Sequence, residues 1–215
     1  MSKLMRERPE NEDSWKLART NRGIGGSEAA AIAGRSSWMT AMELWQYKTG
    51  QKERPDISDN PLVAQGHRME KALRELYKAY HPDRKVRYHE YDLLFQDDRP
   101  WLFATLDGEV IDESGRHGVF EAKTSTPMKK TDWDKWNNQI PESYYCQILH
   151  EMLASGYEFV DLMACLINQD GDFQVRTYHF ERSECIDDMD WLLGKEQEFW
   201  NSVQTKTLPK MTLVL

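Results

Sequence analysis

Residues 103–124 read Phe-Ala-Thr-Leu-Asp-Gly-Glu-Val-Ile-Asp-Glu-Ser-Gly-Arg-His-Gly-Val-Phe-Glu-Ala-Lys-Thr. Two apolar runs flank a polar turn, the pattern of a β-hairpin over about residues 101–124. Asp107 ends the apolar part of the first run, and Glu121 and Lys123 lie two residues apart on the second. Side chains alternate along a strand, so Glu121 and Lys123 share one face. Two carboxylates and an ammonium then meet at one end of a sheet. Hard divalent cations take oxygen ligands, and Mg²⁺ commonly uses one or two carboxylates with water and substrate phosphate. A lysine beside them can orient water or neutralise charge as a P–O bond breaks. Asp-Gly is a common turn and Glu-x-Lys a common solvated face, so context decides. Val119, Phe120 and Ala122 surround Glu121, and a charge in such a strand needs a partner or a metal.

The chain has 215 residues, 40% hydrophobic and 30% charged. That length and balance fit one globular domain with its own core. No apolar run approaches the roughly 20 residues that span a bilayer. Residues 1–14 are polar and lack the apolar segment of a signal peptide, so they are expected to form a flexible arm. Cys146, Cys165 and Cys185 are odd in number and far apart, which argues against a disulfide framework and for a reducing cytoplasm. A net charge of −8 argues against coating nucleic acid over the whole surface, while leaving room for a local basic channel.

The remaining pattern predicts helix over residues 15–22, a tight Gly23–Ser27 loop, and helix over 28–33 with Ser27 as N-cap. Arg19, Arg22, the glycines and a capped helix start can together hold a phosphate, or form a plain loop-to-helix junction. Thr40 and Glu43 form a capping box, and Asn60-Pro61 opens a helix to about residue 80 with Glu70 at the border of its apolar stripe. One strand is expected over 85–95. The loop after the hairpin carries Lys129, Lys130 and Lys135 with Trp133 and Trp136, a combination that suits either a nucleic-acid contact or a solvated loop. Residues 141–155 form an amphipathic helix with Tyr144, Gln147 and Glu151 on a face apart from its apolar stripe. His150-Glu151 lacks the second histidine of a zinc-protease pair. Strands over 159–167 and 173–180 join at Asn168–Gly171, and Ser183 is expected to cap a last helix. This order gives an α/β (α+β) single domain over residues 15–215, with a mixed central sheet flanked by helices.

Trp15-x-x-x-Arg19, Gly23-Ile-Gly-Gly-Ser27-Glu-Ala-Ala-Ala-Ile-Ala-Gly34, Gly66-x-x-x-Glu70, Thr105-Leu-Asp107-Gly, Glu121-Ala-Lys123 and Tyr144-x-x-Gln147 follow in one order. That ordered set resembles the YqaJ-type viral recombinase family, which includes lambda exonuclease within the PD-(D/E)XK nuclease superfamily. The likeness covers about residues 15–155; Leu106 stands where the superfamily name has proline. It implies a restriction-endonuclease-like core and a Mg²⁺-dependent 5′→3′ exonuclease acting on double-stranded DNA ends that carry a 5′-phosphate, with Mn²⁺ as a substitute. Mononucleotides would leave and a 3′ overhang would grow. By the same resemblance Asp107, Glu121, the Ala122 carbonyl and Glu70 would hold the metal, and Lys123 and Gln147 would complete the catalytic set. Arg19, with Arg22 as the alternative, and Ser27 would hold the 5′-phosphate; Thr105 and Tyr144 would face the DNA. The family further implies a homotrimer ring, a phage single-strand annealing protein as partner, no membrane, and a bacterial or prophage-encoded cytoplasmic protein. The rivals are a restriction-like endonuclease with the same triad and a DNA-binding partner module without activity. A nucleotide-binding protein lacks the lysine and preceding strand that its glycine loop would need.

Overall fold

The computed structural model describes residues 2–57 and 59–210. Met1, Ser58 and residues 211–215, at the ends and in one loop of the expected arm and domain, lie outside the described residues. Two sheets and seven helices make up the described chain. The five-stranded sheet contains β3 (Lys85–Arg87), β6 (Gly108–Ile111), β7 (His117–Ser125), β8 (Phe159–Ile167) and β9 (Phe173–Glu181), in the order β3-β6-β7-β8-β9. Only β7 and β8 run parallel, so the sheet is mixed, as the sequence indicates. The four-stranded sheet has the order β1-β4-β5-β2, from β1 (Leu4–Glu7), β2 (Ile24–Gly25), β4 (Leu93–Gln96) and β5 (Leu102–Ala104).

Helix α6 (Glu142–Ser155) packs between these layers. Ile148, Leu149, Met152 and Leu153 meet Leu94, Leu102 and Ala104 of the smaller sheet and Val119, Val160, Leu162 and Ala164 of the larger one. Helix α4 (Pro61–Tyr80) covers the opposite face of the larger sheet, where Leu73 and Tyr77 pack on Val110, Phe120, Ala122 and Met163. Because β8 is covered on both faces, it is apolar almost throughout, as a parallel-paired central strand should be. Helices α2 (Gly26–Ile32), α3 (Ala41–Lys48) and α7 (Ile186–Thr205) enclose a third cluster around Ile24, Leu44, Trp45 and Phe199. His150 ties the groups together: its ring nitrogens meet Glu196 Oε1 at 2.7 Å and the Phe103 carbonyl at 2.8 Å, so it is a buried structural link.

Several expectations are corrected. Among residues 2–14 the polar arm is largely ordered structure: β1 pairs antiparallel with β4, and Asn11 caps α1 (Glu12–Arg22). Arg6 holds that strand down, bonding Asp92 at 2.7 Å and Glu109 at 3.2 Å, and charge pairs across sheets leave no apolar signature to read. The run over 85–95 is two strands in different sheets, with a break that includes Tyr91 at positive φ. The first arm of the central hairpin is likewise split: β5 joins the smaller sheet and β6 pairs with β7, so Asp107 sits in the crossing between them. Gly25, not Ser27, is the N-cap of α2, and Ser27 lies in its first turn. Ser183 lies in a 3₁₀ turn, with Cys185 at the N-cap of α7. Trp136 is buried, its carbonyl accepting from Arg176 and from the Tyr178 hydroxyl, so it belongs to the core rather than to a nucleic-acid surface. The Thr40–Glu43 capping box and the Asn60-Pro61 start are found where expected.

Gly23 joins α1 to β2 at a point of very close approach, where a Cβ would stand 2.0 Å from the Trp101 carbonyl oxygen. Backbone cannot yield there as a flexible side chain would. Gly23→Ala is expected to destabilise the protein by about 3 kcal/mol or more, read by urea unfolding; a change under about 0.5 kcal/mol, the size typical of a surface substitution, would contradict this packing.

Candidate active site

β7 delivers the central pair. Val119, Glu121 and Lys123 line the face toward α6, while Phe120 and Ala122 turn toward α4. Lys123 Nζ lies 2.6 Å from Glu121 Oε1, so the period-two reading holds. Gln147, on α6, bridges the two: its Oε1 accepts from Lys123 Nζ at 2.9 Å and its Nε2 donates to Glu121 Oε1 at 2.7 Å. Asp107 enters from the β5–β6 crossing and is fixed at both ends. Its Oδ2 accepts from the Ala122 N–H at 2.9 Å, and its carbonyl accepts from Arg74 Nη1 at 2.6 Å. The Arg74 guanidinium in turn lies 3.8 Å from the centroid of the Tyr88 ring.

The electrostatics of this cluster are strained toward protonation. Asp107 keeps some surface open to solvent, but its carboxylate lies among protein atoms; burial, then the charge of Glu70, pushes it from 3.8 to about 7. Glu121 is 2% exposed, and burial, then Asp107, pushes it from 4.5 to about 8. Lys123 opposes both shifts, and the carboxylates hold its ammonium charged against the cost of burial. Glu70, on α4, accepts a contact from His67 Nδ1 at 3.0 Å, and its charge reaches both carboxylates. Its border position on the α4 stripe therefore brings it to the edge of the site.

Among the described residues no group of three or more His, Cys, Asp and Glu side chains forms a ready metal cage. The donor set nevertheless fits one hard divalent cation. Two all-oxygen side chains repel each other in a buried place, the Ala122 carbonyl follows Glu121 directly in sequence, and a cation would relieve the repulsion that burial imposes.

The glycine loop packs against α6 beside Gln147 and Glu151. A Cβ on Gly26 would stand 3.1 Å from Glu151 Oε1 and 3.3 Å from Gln147 Cγ, so this backbone presses directly on the helix that carries Gln147. Ser27 follows, exposed. Beside it the buried Glu28 accepts from the Gly25 N–H at 3.1 Å, Lys48 Nζ at 2.8 Å and Arg54 Nη1 at 2.7 Å. The Arg19 guanidinium lies 4.4 Å from the Trp15 ring centroid and feels the charges of Glu28 and Arg54. Arg22 is committed elsewhere: it pairs with Glu7 and stacks on Phe95. Thr105 lies in the crossing two residues before Asp107. The Tyr144 ring lies 5.0 Å from Lys123 Nζ and contacts Trp136, which places it as a wall of the site.

Arg74, Glu28 and Arg54 are site neighbours that the sequence does not mark, and Glu151 is marked only as sharing a helix face with Tyr144 and Gln147. For Glu151 a signal existed: it stands four residues after Gln147, on the helix face that Tyr144 and Gln147 share. Arg54 and Glu28 meet across 26 residues of chain, which no local pattern reveals.

Residues 14–158 match the model of the YqaJ-like viral recombinase domain. An uncharacterized protein YqaJ of Bacillus subtilis (strain 168) is 28% identical over 191 residues, covering 89% of this chain; the chain spans 56% of that relative's length. Among solved structures, the alkaline exonuclease LHK-Exo of Laribacter hongkongensis superposes with a TM-score of 0.62 at 15% identity, over 91% of this chain and 94% of that one. LHK-Exo has also been solved in complex with dAMP, with the same superposition. A phage-related exonuclease of Haemophilus somnus 129PT gives 0.54 at 11% identity, over 86% and 96%. These likenesses agree in fold, a mixed sheet flanked by helices.

The raised carboxylates make stability depend on pH. Unfolded, the two groups titrate near their ordinary values; folded, they keep protons up to about 7 and about 8. The folded state binds the extra protons, so this contribution is full below about pH 4 and is lost as pH rises to about 8. Relative to an Asp107→Asn, Glu121→Gln double variant, the metal-free protein is expected to lose up to about 1.4 kcal/mol per pH unit for each such proton. Urea unfolding of both proteins across that window checks it, and a pH-independent difference would contradict it. Added Mg²⁺ is expected to oppose the loss at the alkaline end, because it selects the ionised carboxylates.

Proposed function

The chain belongs to the YqaJ-like viral recombinase family, and from that premise we propose that it is a divalent-cation-dependent nuclease that digests one strand of linear duplex DNA in the 5′→3′ direction. The observation that carries this reading is the Asp107, Glu121 and Lys123 cluster, with Gln147 joining the last two. Asp107, Glu121 and the Ala122 carbonyl would hold the cation, with Glu70 adding negative charge from α4. Mg²⁺ suits two carboxylates completed by water and phosphate, and Mn²⁺ would substitute. When bound, such an ion makes water more acidic and neutralises charge growing on the scissile phosphate.

The chain's own residues supply the rest. Lys123 is held as a charged donor, which suits it to orient the attacking water and steady a non-bridging phosphate oxygen rather than to take a proton. Gln147 fixes the position of that ammonium. Arg19 and Ser27 would hold the terminal 5′-phosphate, since Arg22 is engaged with Glu7 and Phe95. The tight packing at Gly26 would set that anchor one layer of side chains from the scissile bond. Thr105 would line the path of the scissile phosphate, and Tyr144 would wall it. Water attacks phosphorus, the bond to the 3′-oxygen breaks, and that oxygen gains a proton. A nucleoside 5′-monophosphate departs, and a new 5′-phosphate is left to dock. The dAMP bound by LHK-Exo is a molecule of this product class. As in the family resemblance, a homotrimer ring and a single-strand annealing partner complete the reading; the remaining 3′ strand is what such a partner would bind.

The experiment offers 5′-phosphorylated linear duplex DNA and closed circles with Mg²⁺, and a Lys123→Ala control. Mononucleotides are expected from the linear substrate alone, with the rate down about 100-fold or more in the control. Nicked circles would turn the assignment to an endonuclease, and binding without cleavage under any divalent cation would leave a DNA-binding module.

A further inference from the structure

Glu151 stands one helical turn beyond Gln147 and is 1% exposed. Its Oε1 accepts from Gln147 Nε2 at 2.8 Å, whereas its Oε2 has no hydrogen-bond partner among the described residues. A buried carboxyl with one oxygen unpartnered is costly, and an apolar side chain would fill that position without the cost. Burial is also the main reason its carboxyl is pushed well above the ordinary range. The fold gains nothing evident from this choice, so the contact with Gln147 is the place to look for its use.

A primary amide has two N–H donors and one carbonyl acceptor. In Gln147 the carbonyl faces Lys123 Nζ, one N–H faces Glu121 and the other faces Glu151. The Glu121 oxygen that takes the first N–H also takes the Lys123 ammonium, and it is the acceptor for which a divalent cation would compete. The bond to Glu151 lies outside that competition. Turning the amide over would set its oxygen against two carboxyl oxygens and its N–H groups against the ammonium. The Gly26 backbone, close to both Glu151 Oε1 and Gln147 Cγ, leaves these side chains little room to swing.

We propose that Glu151 is a positioning residue that grips the second N–H of Gln147, keeping that amide on Lys123 when Glu121 turns to a cation. The kinetic consequence rests on the nuclease reading above; the grip itself does not. Glu151→Leu is expected to lower kcat about tenfold, the scale of one buried hydrogen bond, with KM for linear duplex little changed. Its thermal midpoint is expected to hold or rise, since an unpartnered buried oxygen is removed. Glu151→Gln keeps an acceptor on Gln147 and is expected to recover activity to within about threefold of the parent. In a Gln147→Leu background, Glu151→Leu is expected to add no further loss, because it acts through that amide.

A second readout needs no activity. The side-chain amide resonance of Gln147 in the metal-free protein, assigned by its loss in Gln147→Leu, is expected to shift in Glu151→Leu and to stay protected from exchange in Glu151→Gln. An unmoved Gln147 resonance in Glu151→Leu would overturn the proposal. So would equal losses in the Leu and Gln variants that track a lowered thermal midpoint, or losses that add to those of Gln147→Leu. If the parent protein cleaves no DNA, the nuclease reading fails, and the amide resonance still decides whether Glu151 grips Gln147.

Discussion

Two carboxylates that repel each other in a buried place, with one ammonium to balance them, are the constraint on which this structure turns. Burial raises the affinity of both Asp107 and Glu121 for a proton, Asp107 raises that of Glu121 further, and Glu70 adds to both. Such a pair does not stay together unless the backbone gives it no alternative. Here the Ala122 N–H clamps one carboxylate, β7 fixes the other, and Arg74 pins the crossing that carries Asp107. Lys123 and Gln147 occupy the same oxygen of Glu121. A divalent cation bound there would relieve that repulsion.

Helix α6 connects this cluster to everything else. Its apolar stripe joins the two sheets, His150 links it to α7 and β5, and Gln147 reaches Lys123. Against the same helix, Gly26 brings the loop with Ser27, and behind it Glu28 gathers Lys48 and Arg54. A terminal phosphate bound near Arg19 and a bond cut near Glu121 would therefore be held at a fixed separation by one rigid element. That suits an enzyme that measures one nucleotide from an end.

Much of this was legible in the sequence where the signal is local. The period of a strand places Glu121 beside Lys123, and an ordered run of short motifs marks the family. Helix starts with a side-chain cap, at Thr40 and Asn60, fall where expected. What failed depends on contacts distant in sequence. The apolar run before Asp107 does not reveal that it changes sheets, because Leu102–Ala104 and Gly108–Ile111 are both short, largely buried arms, though of different sheets. Leu4–Glu7 looks like a polar tail because its partners are Asp92 and Glu109, more than 80 residues away. Trp136 looks like a surface aromatic among lysines until β9 covers it. Glu151 looks like a helix-surface glutamate until the Gly26 backbone closes over it.

The central claim is that Asp107 and Glu121 together form a cation site, and the most direct test is Mn²⁺ binding followed by electron paramagnetic resonance. Saturable binding in the parent protein, displaced by Mg²⁺ and lost in both Asp107→Asn and Glu121→Gln, is the expected result. Binding that survives both substitutions, or no saturable binding in the parent at alkaline pH, would contradict the account.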